Sequence, residues 1–318
     1  MTTRRETLDG TAVGCMIFFC VALGLQQIAI KAAAPDMTPL LQMGLRSGPA
    51  ALLVGLYLRS RGLGLLPGGG ARLAGLAAGL LFTLEYVFVA EGLRFTDASR
   101  MVIMLYTAPA FAALGLHVFV PEERLRPIQW CGLILAFCGV AVAVYDGGDS
   151  SAAVSGTVLF GDALGLLAGI SWGATTIVIR TKLSDTPSAQ TTFAQLLTCF
   201  CLLVPGAALT GRGVFTLSGL VQASLAFQIL IVCVLGMLLW FWLLTVYPAS
   251  QLGVLSFLTP VFGIAFGVLL LGETVEPQFL AGAGLILAGI ALVSGWQWFA
   301  RHLPRGASFF KKPDNEDL

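Results

Sequence analysis

Apolar residues run through this chain in long blocks of about twenty, separated by short polar breaks. Ten blocks can be marked: Thr11–Ala33, Thr38–Leu58, Leu73–Leu93, Ala98–Val120, Ile128–Tyr145, Val158–Ile179, Ser188–Leu209, Leu225–Tyr247, Ala249–Leu271 and Gln278–Trp298. A bilayer crossing takes about 20 mostly apolar residues. A transmembrane β-barrel would instead show alternating segments of about 10 residues. Backbone groups in lipid must be satisfied within the segment, so each block is expected to be a helix. The first block is too long for a signal peptide and has no small-residue cleavage site, so it is retained as a span.

Composition agrees with this pattern. Hydrophobic residues make up 57% of the 318 and charged residues 11%. Soluble domains carry about 25% charged residues, so an ordinary water-soluble enzyme is excluded, and so is a disordered chain. The formal charge is +1, which gives no nucleic-acid signature. Seven cysteines all lie in apolar runs and read as small buried hydrophobes. None has metal-site spacing with a histidine. No metal or other cofactor is expected.

Basic residues are distributed unevenly over the breaks. With the N-terminus inside, thirteen Lys or Arg fall on the inner side and three (Arg94, Arg100 and Arg212) on the outer side, while Lys31 and Arg46 lie within spans. Positive charge collects on the cytoplasmic side of membrane proteins. Both termini are therefore expected in the cytoplasm. Residues 1–10 form a cytoplasmic N-terminus, 11–145 a first unit, 146–157 an acidic outside linker, 158–298 a second unit, and 299–318 a polar tail.

The second unit echoes the first. Ala98-Ser99, Pro109 and Glu122 recur 151 residues later as Ala249-Ser250, Pro260 and Glu273. Each unit holds five spans, and an odd number makes the copies cross in opposite senses. Inverted repeats of this kind are a design of secondary transporters, with the site near the midplane at the repeat interface. The expected fold is all-α integral membrane: ten transmembrane helices as two inverted five-helix repeats around a central cavity.

The same landmarks carry a family resemblance. Ile28-Ala29-Ile30-Lys31, Pro39 with Arg46, Thr96-Asp97-Ala98-Ser99, Ser171-Trp172-Gly173 and Pro248-Ala249-Ser250 join the paired Pro and Glu positions. Taken in order, they make the chain resemble the drug/metabolite transporter superfamily in its tandem EamA-type form. The likeness runs from about Thr11 to Trp296. It implies a ten-helix fold with spans five and ten at the periphery. It also implies export or exchange of small metabolites, commonly amino acids or related compounds, across a bacterial inner membrane.

Charge inside a span is costly, at about 2.5–3.5 kcal/mol for Lys, Arg or Asp at the bilayer centre on insertion scales. Arg46 and Glu85 both fall at middle depth. They are expected to face one cavity, with an ion pair that locks two helices as the alternative. Lys31 lies four residues after Gln27, on the same helix face; both are candidate lining residues. Tyr86, Tyr106, Trp172, Trp240 and Phe257 offer the aromatic part of a pocket. Gln195 falls close to the repeat position of Arg46. Asp162 reads as a helix cap, Tyr247 and Trp298 as interface residues, and His117 as a satisfied helix-facing histidine. Pro109 and Pro260 are expected to kink spans four and nine as hinges. Gly161, Gly165, Gly169 and Gly173 form one smooth stripe that permits close helix contact.

No catalytic constellation is present. His117 and His302 are the only histidines, and no Gly-rich phosphate loop with its Lys occurs. The expected partners are a small-molecule substrate, the lipid bilayer, and a proton or counter-substrate; a homodimer is left open. Glu85 is the candidate proton carrier. The alternatives are an antiporter of phosphorylated or nucleotide-linked sugars, a passive channel, and an integral-membrane transferase.

Overall fold

The computed structural model describes residues 9–121, 124–144, 156–247, 252 and 255–302. Among them all regular structure is helical. Residues 1–8, Glu122, the segment Pro248-Ala249-Ser250, most of the 146–157 linker and the tail from residue 303 lie outside the described residues.

The elements are α1 (Gly10–Ala32), α2 (Pro39–Ser60), α3 (Ala71–Gly92), α4 (Ala98–Leu105), α5 (Ala108–Phe119) and α6 (Pro127–Val144). They continue with α7 (Gly156–Lys182), α8 (Ser188–Leu209), α9 (Gly219–Ala226), a π-helical stretch (Phe227–Gly236), α10 (Met237–Val246), α11 (Leu258–Leu271) and α12 (Pro277–His302). Six segments are long and apolar enough to cross a membrane: 10–32, 71–92, 98–119, 156–182, 188–209 and 219–236. Three shorter apolar helices join them, within α6, α11 and α12. α2 falls short on hydropathy because Gln42, Arg46 and Ser47 interrupt it.

The expected kink in span four is a full break. Tyr106 and Thr107 form a turn between α4 and α5, and Pro109 stands at the start of α5, where no backbone N–H is needed. A similar turn at Ser256 and Phe257 precedes α11 and Pro260.

Glycines set the closest helix crossings. A Cβ on Gly165 would come within 2.7 Å of the Met104 Cβ, and one on Gly173 within 2.9 Å of the Phe111 Cβ. The α7 stripe thus seats the α4–α5 break. Gly24 of α1 meets Gly263 of α11 in the same way, its Cβ position 3.0 Å from the Gly263 N.

α6 packs chiefly on α12, and α12 reaches the rest of the bundle through α5. Gly132 and Gly139 face Gly289 and Gly282, backbone against backbone. A Cβ on Gly289 would stand 2.5 Å from the Ala136 N. Because backbone cannot swing aside, Gly289→Val is expected to force the pair apart and destabilise the protein by about 1–3 kcal/mol, the usual range for overpacking. A lower melting temperature in detergent, with no such loss for Gly284→Ala in open space, is the check.

The cysteines only partly follow the expectation. Cys20 and Cys199 are buried, while Cys131, Cys138 and Cys201 lie exposed on the outer surface of the bundle. There an apolar thiol is as well suited to lipid as to a protein core.

Candidate functional site

A cavity of about 350 Å³ lies inside the bundle, walled by α1, α2, α3, α4, α7 and α8 together with Tyr106. Gln27, Glu85, Tyr86, Tyr106, Trp172 and Gln195 all lie on its wall. α1 contributes Gln27 from a face that also carries Leu23 and Gln26. α3 contributes Phe82, Glu85, Tyr86 and Val89 at helical spacing. Tyr106 stands at the α4–α5 break and packs edge-on against Trp172 with ring centroids 5.5 Å apart. A second cavity, about 230 Å³, adjoins the first along Leu23, Gln26 and Tyr86. Arg46 and Trp240 line this second space, and Trp240 stacks on Phe19 at 5.3 Å.

Arg46 and Glu85 are both buried, at 1% and 7% exposure. They form no ion pair. The Arg46 guanidinium instead lies over the Tyr86 ring, 4.7 Å from its centroid, and Nη1 donates to Gln228 Oε1 at 3.4 Å. Gln228 stands at the start of the π-helical stretch. Its Nε2 donates to Gln42 Oε1 at 3.2 Å and Ser224 Oγ at 3.0 Å. Gln42 in turn donates to the carbonyls of Ile30 and Met37. A buried polar chain therefore runs from the end of α1 to Arg46. Glu85 accepts no hydrogen bond among the described residues. Gln27 Oε1 is also buried without a hydrogen-bond partner there.

Lys31 does not line either cavity. Its Nζ lies 2.7 Å from Asp97 Oδ1 and 3.2 Å from Glu273 Oε1, and donates to the Thr96 carbonyl at 3.0 Å. The Glu273 carboxylate also accepts the backbone N–H groups of Ala98 and Ser99, at 2.7 and 3.0 Å, and the Ser99 hydroxyl at 2.6 Å. It thereby caps the open N-terminus of α4, where a negative charge is favoured. Gly272 reverses the chain with φ +67°, and Glu273 folds back over α11. A side chain at Gly267 would overlap its carboxylate. Burial alone would raise the Glu273 carboxyl. The Ser99 side-chain and backbone hydrogen bonds, the Ala98 N–H and the Lys31 charge outweigh it and hold the group below the ordinary carboxylate range.

A second cluster adjoins the first through Thr96, whose hydroxyl donates to Asp162 Oδ1 at 2.7 Å. Arg100 grips Asp162 with Nε and Nη2, at 3.0 and 2.5 Å to Oδ2. It also reaches Glu276 at 3.2 Å and lies 4.6 Å from the Phe279 ring centroid. Arg100 and Asp162 are 5% and 1% exposed. Asp162 is thus half of a buried ion pair rather than a simple cap. At the same end Glu91 pairs with Arg94 and with Arg212.

Several remaining expectations are corrected by packing. Phe257 lies in a core with Ile103, Met104 and Phe279, away from either cavity. Tyr247 is 1% exposed and donates to Asp9 Oδ1 at 2.8 Å, so it is no interface residue. His117 is satisfied as expected: its Nδ1 accepts the Leu125 N–H at 3.0 Å. The Arg100–Asp162–Glu276 cluster and Gln228 were not singled out from the sequence. Arg100 and Asp162 each carry a signal, being charges inside apolar blocks, but nothing in the sequence says that they meet across 62 residues.

Comparison with known proteins bears on this site. The EamA-like transporter family matches residues 10–145 and 159–295. A Salmonella typhimurium protein named a probable amino-acid metabolite efflux pump is 28% identical over 279 residues, covering 85% of this chain and 90% of its own. An Escherichia coli protein of the same name is 26% identical over 292 residues, with 87% and 93% covered. The Bacillus subtilis transporter YoaV is 26% identical over 282 residues, with 84% and 91% covered. One solved crystal structure shares the fold, with a TM-score of 0.65 at 17% identity over 93% of this chain and 99% of its own.

Proposed function

Because the chain belongs to the EamA-like transporter family, whose members are transporters and not enzymes, we propose that it is a secondary-active exporter of small metabolites. The substrates are amino acids or related compounds, moved by alternating access. One observation carries this reading. The cavity is walled by α1–α4 from the first matched segment and by α7 and α8 from the second. An inverted-repeat carrier places its substrate site at such an interface. The two units, 11–145 and 158–298, are read as opposed five-helix repeats with both termini in the cytoplasm. The Lys/Arg bias and the paired breaks before Pro260 and at Pro109 support this.

The volume sits at the small end of the 300–1,000 Å³ typical of ligand sites, which suits an amino acid better than a nucleotide sugar. Phosphorylated substrates call for deep cations. Lys31, one of the two that could serve, is already engaged by Asp97 and Glu273. Glu85 is the acidic residue on the cavity wall and is proposed as the proton-coupling group.

Efflux of labelled L-leucine and L-phenylalanine from proteoliposomes, with and without a pH gradient, tests the reading. Saturable efflux driven by the gradient in the wild type, and lost in Glu85→Gln, is the expected result. Non-saturable efflux of both compounds would overturn the transporter reading. Gradient-indifference in the wild type would remove the coupling role.

A further inference from the structure

Glu85 carries the one formal charge among the sixteen residues that line the larger cavity. No described residue donates a hydrogen bond to its carboxylate. Gln27, another lining residue, has its Oε1 likewise buried and without a donor among the described residues. Thr175 and Thr176, also on the wall, spend their hydroxyl protons on the carbonyls of Ser171 and Trp172. Around these acceptors stand Phe82, Tyr86, Tyr106 and Trp172. The wall therefore holds two acceptors without donors, neutral donors on its Gln, Tyr and Trp side chains, and aromatic rings, with no cation of its own.

Such a wall lacks a donor group that also bears positive charge. An unsatisfied buried acceptor is costly, and more so when it is charged. A primary ammonium has three donors and no acceptor, and it is attracted to aromatic faces. Arg46, the nearby cation, is differently placed. It lines the neighbouring cavity, is 1% exposed, lies on the Tyr86 ring and donates to Gln228. These contacts position Tyr86 on the wall, and the guanidinium fronts the neighbouring cavity and is absent from the lining of this one.

We propose that this cavity reads the ammonium group of its substrate through Glu85 and Gln27, and does not read a carboxylate through Arg46. The substrate class is then primary amines with an apolar side chain, amino acids and their decarboxylated counterparts alike. This rests on the transporter reading and narrows it. Arg46 acts as a positioning residue for Tyr86.

The test uses purified full-length protein and two matched series. One is L-leucine, 3-methylbutylamine and N-acetyl-L-leucine; the other is L-phenylalanine, 2-phenylethylamine and N-acetyl-L-phenylalanine. Ligands that bind the folded state raise the melting temperature by mass action. The amino acids and the amines are expected to raise it in the wild type, and the N-acetyl acids to bind at least about tenfold more weakly, as loss of one hydrogen bond to a charged group implies. Glu85→Gln is expected to lose both responses while its ligand-free melting temperature stays at or above that of the wild type, since a buried ionisable group has been removed. Arg46→Gln, if it weakens binding, is expected to weaken the amino acid and the amine by the same factor. Binding of the N-acetyl acids without the amines, or an Arg46→Gln defect confined to the amino acids, would overturn the proposal. No response to any of the six compounds would also overturn it, whereas saturable transport of some other solute would leave the transporter reading standing.

Discussion

Glu273→Ala is expected to loosen the end of the bundle where Lys31, Asp97 and Ser99 meet, and to lower stability by about 1–3 kcal/mol, the range for leaving buried donors unsatisfied. The carboxylate holds three groups from α4 and one from α1. Removing it leaves two backbone N–H groups uncapped and Lys31 with Asp97 alone. The cluster stands close above the cavity. Lys31 is four residues beyond Gln27 along α1, and Ser99 three residues before Val102 along α4, so each separation is about one helical turn. A thiol introduced at Val102 should therefore react faster with an impermeant maleimide from that end once Glu273 is gone. Unchanged labelling and an unchanged melting temperature would refute this role.

The same bonds set an acid limit. The folded-state pKa of Glu273 is held below its ordinary value. Its contribution is then fully present above the unfolded pKa, near 4.3, and is lost as pH falls through the lower folded value. Val102→Cys labelling should stay slow from neutrality down to that range and rise only below it, with Glu273→Ala flat across the same interval.

Asp162→Ala is expected to be more damaging, by about 3–5 kcal/mol, because it leaves the buried Arg100 guanidinium with only the half-exposed Glu276 carboxylate. Replacing both partners removes the charge along with its need for a partner. The double variant Arg100→Leu/Asp162→Leu should therefore melt above the single Asp162→Ala variant. Melting temperatures of the purified variants decide the matter. A double variant as unstable as the single one would mean that the pair serves as more than a satisfied charge.

Much of this architecture is legible in the sequence because lipid imposes long apolar windows. The block Ser188–Leu209 is the observed α8 to the residue, and α1, α3 and α6 lie within two residues of their blocks. Local geometry is legible too. Proline marks the α4–α5 break, and a four-residue glycine spacing marks where α7 is approached. Charge is less readable, since a charged residue in an apolar block signals that it has a partner without saying which. Lys31 was expected in the cavity and is instead held by Glu273, 242 residues away. Arg46 and Glu85 are expected on one cavity, and Arg46 instead lines the adjoining one, held by Tyr86 and Gln228. The π-helical stretch that positions Gln228 leaves no mark, because Phe227–Gly236 reads as any apolar helix would.

The Glu85 cavity should serve a carrier that binds one solute at a time. Counterflow measures this directly: proteoliposomes holding unlabelled L-leucine are exposed to a trace of labelled L-leucine outside. A carrier that turns over through one central site should give a transient, saturable accumulation of label that Glu85→Gln abolishes. Uptake that rises linearly with concentration, and takes no notice of what is inside, would contradict it.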